Sequence, residues 1–128
     1  MSIKNKAVLF AILILVIALL SDCSHTSEPS GNVIVKKELS SITIRNKTGA
    51  SIHYAVFERY SLALIKWAPV CRQTNEIPSF GVASVPVTDE SFKPSDEAVV
   101  YWWQTCVKNP EYGFEVGNNL HTVVVRVR

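Results

Sequence analysis

From residue 40 onward the chain alternates between apolar and polar positions with a period of two. In "SITIRNKTGASIHYAVFERY", Ile42 and Ile44 fall on one side and Thr43 and Arg45 on the other; Ile52, Tyr54 and Val56 share a face opposite His53, Ala55 and Phe57. That is the pleat period of a β-strand. Between the two runs "Asn46-Lys47-Thr48-Gly49" supplies turn residues, which predicts a hairpin. "SFGVASVPVT" alternates again, with Ala83, Val85 and Val87 on one face, and Pro86, which has no amide hydrogen to give, predicts a sheet edge or a bulge. "AVVYWWQTC" is β-branched and aromatic with apolar residues on both faces, as expected of a central strand covered on both sides. The chain closes with "HTVVVRVR", whose Val123, Val125 and Val127 predict an inward face opposite Val124, Arg126 and Arg128.

Other stretches are less regular. "Leu62-Ala63-Leu64-Ile65-Lys66-Trp67" fits one helical turn or a short strand, and Pro69 and Pro78 bracket a loop carrying Cys71. "VKNPEYGFEVGNN", residues 107–119, reads as a long turn rich in Gly, Pro and Asn. At least five strands and no long amphipathic helix predict an all-β fold, a small antiparallel β-sandwich or barrel-like domain over residues 40–128. Residues 23–39, with "SHTSEPSGN" at the start, read as a flexible tether; "Val33-Ile34-Val35" within it is the one segment with an edge-strand alternative.

The N-terminus follows a different pattern. Lys4 and Lys6 precede 14 uncharged apolar residues, Ala7 to Leu20, fewer than the roughly 20 needed to span a bilayer core. A charged front and a short apolar run predict a signal peptide over residues 1–22. "Leu20-Ser21-Asp22-Cys23" resembles the lipobox of bacterial lipoproteins, with Asp22 where a small residue is usual. The resemblance covers the first 23 residues and implies that Cys23 becomes a lipidated N-terminus, placing the protein in the cell envelope with its membrane attachment through that lipid. Ser24 after the cysteine, where Asp would signal retention, implies the outer membrane in a Gram-negative cell.

Composition narrows the function. The 128 residues are 48% hydrophobic and 19% charged, with mean hydropathy +0.17 and a formal net charge of +2. Nothing longer than Lys36-Lys37 concentrates like charge, so the sequence points to no nucleic-acid partner. Cys71 and Cys106 remain once Cys23 carries lipid. An oxidising compartment favours a disulfide between them, with two free buried thiols or a reactive thiol as the alternatives.

No motif for catalysis, a cofactor or a metal is present. His25, His53 and His121 lack metal-ligand spacing, and Glu58-Arg59, Asp89-Glu90 and Asp96-Glu97 read as solvated charge. The aromatic residues are the stronger functional signal. Trp102 and Trp103 are adjacent in a strand and must face opposite ways. Trp103 shares its side with Val99 and Tyr101 and is the expected core residue. Trp102, on the side of Val100 and Gln104, is the candidate for a loop-covered or ligand-facing position, with Trp67 as a second candidate binding residue. The leading expectation is a non-catalytic binding module whose ligand is an envelope protein or a glycan. The rival is a small hydrolase whose site would form if His53, Glu58 and His121 met in one cleft. Lysozyme-inhibitor lipoproteins are similar in architecture only, being small, disulfide-linked and β-rich; none of their motifs is matched.

Overall fold

A computed structural model describes residues 32–128. Residues 1–22, expected to be a signal peptide, and Cys23 and His25 lie outside the described residues. The described chain is an antiparallel β-sandwich with a small β cap. One layer holds β1 (Val33–Lys37), β2 (Ser41–Asn46) and β5 (Val82–Pro86) in the order β1-β2-β5. The second holds β3 (Ile52–Glu58), β4 (Glu76–Ile77), β6 (Glu97–Trp103) and β9 (His121–Arg126) in the order β4-β3-β6-β9. The strands β7 (Thr105–Lys108) and β8 (Glu115–Asn118) pair with each other and form the cap. The only helical turns among the described residues are α1 (Arg59–Leu62) and a 3-10 turn at Gln73–Asn75.

Period-two alternation explains which side chains meet between the layers. Ile42 and Ile44 of β2 face Ile52, Ala98, Val100 and Trp102 of the second layer, with Val33, Ile77 and Val127 closing the ends. Each is nearly or fully excluded from solvent. Burying an aliphatic side chain of this size stabilises the fold by about 1.5–3 kcal/mol, so these few residues are the principal cohesive force between the sheets. Ala83 and Val85 of β5 and Val87 just after it line the same core, and β5 sits at a sheet edge, one of the two places open to Pro86.

Four expectations need correction. Residues 23–39 are not all tether: β1 pairs along its whole length with β2, from Val33 opposite Asn46 to Lys37 opposite Ile42, and Val33 is buried. The apolar gain from Val33 and the ladder hydrogen bonds outweigh the cost of ordering this edge strand.

The expected hairpin at residues 46–49 is a corner instead. β2 and β3 belong to different sheets, and the turn carries the chain from one layer to the other. Asn46 fixes it. Its fully buried Nδ2 donates to the carbonyls of Ala50 (2.8 Å), Pro78 (3.1 Å) and Ile77 (3.2 Å), while its Oδ1 accepts from the Thr48 amide (2.9 Å) and hydroxyl (2.6 Å). Pairing β2 with β3 in one sheet would have left the Ile42–Ile44 and Ile52 faces without each other.

The stretch 107–119 is not a single long turn, because β7 and β8 flank residues 109–114 as a hairpin. Finally, the two tryptophans exchange the roles expected of them. Trp102 points into the sandwich core and Trp103 points to the other face of β6, under the cap.

Candidate functional site

Chemistry-bearing side chains gather on the outer face of the second layer, where the cap covers it. The antiparallel register sets His53 opposite Trp103, Ala55 opposite Tyr101 and Phe57 opposite Val99, so these side chains share one face. The segment 69–71 runs beside β8. The Cys71 amide donates to the Glu115 carbonyl (3.1 Å), the Gly117 amide donates to the Pro69 carbonyl (2.6 Å), and Val70 bridges to Val116. This brings Cys71 over Trp103 and against Cys106 of β7, and the two cysteines form a disulfide with a Cα–Cα separation of 6.4 Å. Of the alternatives open to the sequence, the bonded pair is the one present.

The disulfide is enclosed by specific neighbours. Trp103 Nε1 donates to Cys71 Sγ at 3.2 Å, and His53 Nδ1 lies 3.7 Å from Cys106 Sγ. Gly117, opposite Cys106 in the β7–β8 ladder, lets the cap settle on the indole, since a Cβ there would stand 2.5 Å from Trp103 Cδ1 and Nε1. His53, Cys71 and Cys106 are the one group of three metal-ligating side chains brought together among the described residues, their ligand atoms within 4.8 Å of one another. In the oxidised protein both sulfurs are committed to each other.

Trp67 comes from the loop after α1 and is half-buried. Its ring is tilted against Phe57 and Tyr101, both at 4.8 Å between centroids, and so anchors the loop to the sheet. Together with α1 this loop forms a Tyr60–Trp67 loop segment that exposes Tyr60 (59%), Leu64 (72%) and Ile65 (46%), three large apolar residues within six positions. Trp102, the other candidate, is only 4% exposed and stacks on His121 with centroids 3.9 Å apart. A ring held between the layers has no face to offer a ligand.

The residues a hydrolase would need are dispersed. His53 lies on the cap side of the second layer, and His121 lies opposite Trp102 on the core side, at the sheet rim. Glu58 is at the far end of β3 from His53 and serves as the N-cap of α1, accepting from the Tyr60 amide (2.7 Å), the Ser61 amide (2.9 Å), the Ser61 hydroxyl (2.9 Å) and the Ser95 hydroxyl. Partial burial pushes its carboxyl up, but the hydrogen bonds from Ser95, the Tyr60 and Ser61 amides and the Ser61 hydroxyl outweigh this and bring the pKa down to about 2. Such a group is a poor proton donor or acceptor near neutrality.

Three other acidic side chains are held in ion pairs. Arg59 pairs with Glu97 rather than with Glu58, Lys93 lies 3.5 Å from Glu90, and Arg128 pairs with Asp96 at 2.7 Å. Arg128 also donates to the carbonyls of Ser91, Thr88 and Asp89, tying the C-terminus to the 88–96 loop.

A concavity of about 470 Å³ opens beside the corner and is lined by Asn32, Arg45, Asn46, Lys47 and Phe80. Phe80 is largely exposed there with a left-handed backbone (φ 61°). Sequence reasoning singled out neither this cleft nor the closeness of His53 to the disulfide. The first depends on the β2–β3 corner, and the second on the register of β3 against β6.

No family model matches the chain, and neither the curated proteins nor the solved structures contain a match to it.

Proposed function

We propose that this chain is an exported envelope protein, lipid-anchored through Cys23, whose β domain is a binding module that docks a partner on the loop Tyr60–Trp67. The observation that carries the binding reading is the exposure of Tyr60, Leu64 and Ile65 on a loop pinned from below by Trp67. Large apolar residues carried at the surface on an anchored segment suit the core of a protein–protein contact, since less backbone ordering is then needed on binding. Trp67 uses its ring on Phe57 and Tyr101, which favours an apolar protein surface over a sugar stacked on an open indole. The separation of His53, Glu58 and His121 further supports binding over hydrolysis.

The tether and the loop are tested separately. Metabolic acyl labelling should mark the wild type and leave Cys23→Ala unlabelled; equal labelling would remove the lipid anchor. For the loop, the domain is used to capture partners from envelope extracts beside a Leu64→Ser/Ile65→Ser variant. A partner retained by the wild type and lost by the variant, with melting unchanged, is the expected result. Retention of the same partner by both would remove the loop as the docking surface.

A further inference from the structure

We propose that His53, Cys71 and Cys106 form a redox-gated zinc site, closed while the disulfide is intact and opened by its reduction. The site uses none of the exposed side chains of the Tyr60–Trp67 loop and holds whether or not that loop binds a partner.

Three separate elements deliver the ligands: His53 from β3, Cys71 from the segment beside β8, and Cys106 from β7. Their ligand atoms already lie within 4.8 Å of one another, and all three residues are partly accessible. A zinc ion with Zn–S of about 2.3 Å and Zn–N of about 2.0 Å needs its ligands at the corners of a tetrahedron of about that size. His53 Nδ1 and Cys106 Sγ, 3.7 Å apart, are near that spacing already, and the two sulfurs must separate. They can do so because Cys71 and Cys106 sit in the cap, outside the two sandwich layers, while His53 is fixed in the sheet. One imidazole and two thiolates suit a borderline-soft divalent ion, and this set leaves a fourth position for water or an added ligand.

The surroundings suit thiolates as well. Trp103 Nε1 donates to Cys71 Sγ, a hydrogen bond that gains strength when the sulfur becomes anionic. The chemistry balances with a dithiol as reductant. It gives two electrons and two protons to the Cys71–Cys106 bond and becomes a disulfide itself, leaving two protein thiols. These release their protons to solvent as the metal binds.

The test uses the full chain in detergent with Cys23→Ala, so that Cys71 and Cys106 supply every thiol. After reduction with a phosphine under anaerobic conditions, the protein is titrated with Co²⁺ as a spectroscopic stand-in for Zn²⁺. One equivalent should produce thiolate-to-cobalt charge-transfer absorption, and one equivalent of Zn²⁺ should bleach it. The unreduced protein should give no such band. His53→Ala should weaken cobalt binding at least about tenfold, since even partners beyond the ligands change metal affinity by 10–100-fold, and Cys71→Ser should abolish the two-thiolate spectrum. A reduced protein without the charge-transfer band overturns the proposal. So does a His53→Ala protein that binds as tightly as its parent.

Discussion

Trp102 and Trp103 are neighbours in β6 and are both buried, on opposite faces of one sheet. Trp102 fills the space between the two sandwich layers, beside Tyr54 and stacked on His121. Trp103 is sealed under the β7–β8 cap, its indole hydrogen directed at the Cys71 sulfur. β6 therefore contributes to two separate cores, and the cap is a structural layer as much as a loop.

It follows that neither indole is dispensable. Trp102→Ala and Trp103→Ala are each expected to destabilise the domain by about 3–5 kcal/mol, as read by chemical denaturation. A Trp102→Ala protein as stable as the wild type would return that ring to the list of surface candidates.

Gly117 sits where the cap comes closest to Trp103. Gly117→Ala should push the β8 strand off the indole and cost about 1–3 kcal/mol, as overpacking of a close contact does. The change should also appear in the tryptophan fluorescence, because the environment of Trp103 would loosen. Unchanged stability and fluorescence would mean that the cap shifts freely.

Asn46 joins three carbonyls and the Thr48 turn at the corner between the sheets. Asn46→Ala leaves the buried Ile77 carbonyl without this donor and should cost roughly 2–3 kcal/mol. Asn46→Asp should be worse than neutral too, since a carboxylate would face the same carbonyls. Asn46 is fully buried, so its N-x-T sequence gives no accessible acceptor for glycosylation of the folded domain.

Glu58 couples stability to pH. Its folded pKa of about 2 lies below the ordinary 4.5, so the unfolded chain takes up a proton first as the pH falls. The contribution is complete above about pH 4.5 and is lost as the pH drops toward 2. Denaturation curves across this window should show the wild type losing more stability than Glu58→Gln. Parallel pH profiles for the two proteins would mean that the cap of α1 contributes nothing through its charge.

Local alternation was sufficient for the class of fold and for much of the strand content. Ile42/Ile44, Ile52/Tyr54/Val56, Ala83/Val85/Val87 and Val123/Val125/Val127 each announce an inward face, because the pleat forces every second side chain the same way. Pro86 likewise announced a sheet edge or a bulge, and β5 lies at an edge. The sequence also confined Cys71 and Cys106 to a small set of fates. Which strands share a sheet depended on contacts between residues far apart in the chain. Asn46 makes a corner only because Ile77 and Pro78 arrive to receive its hydrogen bonds, and β1 becomes ordered only because β2 is there to pair with it. The "YWW" run shows the limit most clearly. A strand apolar on both faces carries no label for inside or outside, so only the arrival of β2 on one side and of the Cys71–Cys106 cap on the other could decide what each tryptophan touches. The approach of His53 to the two sulfurs was set in the same way, by the register of β3 on β6, which no run of neighbouring residues encodes.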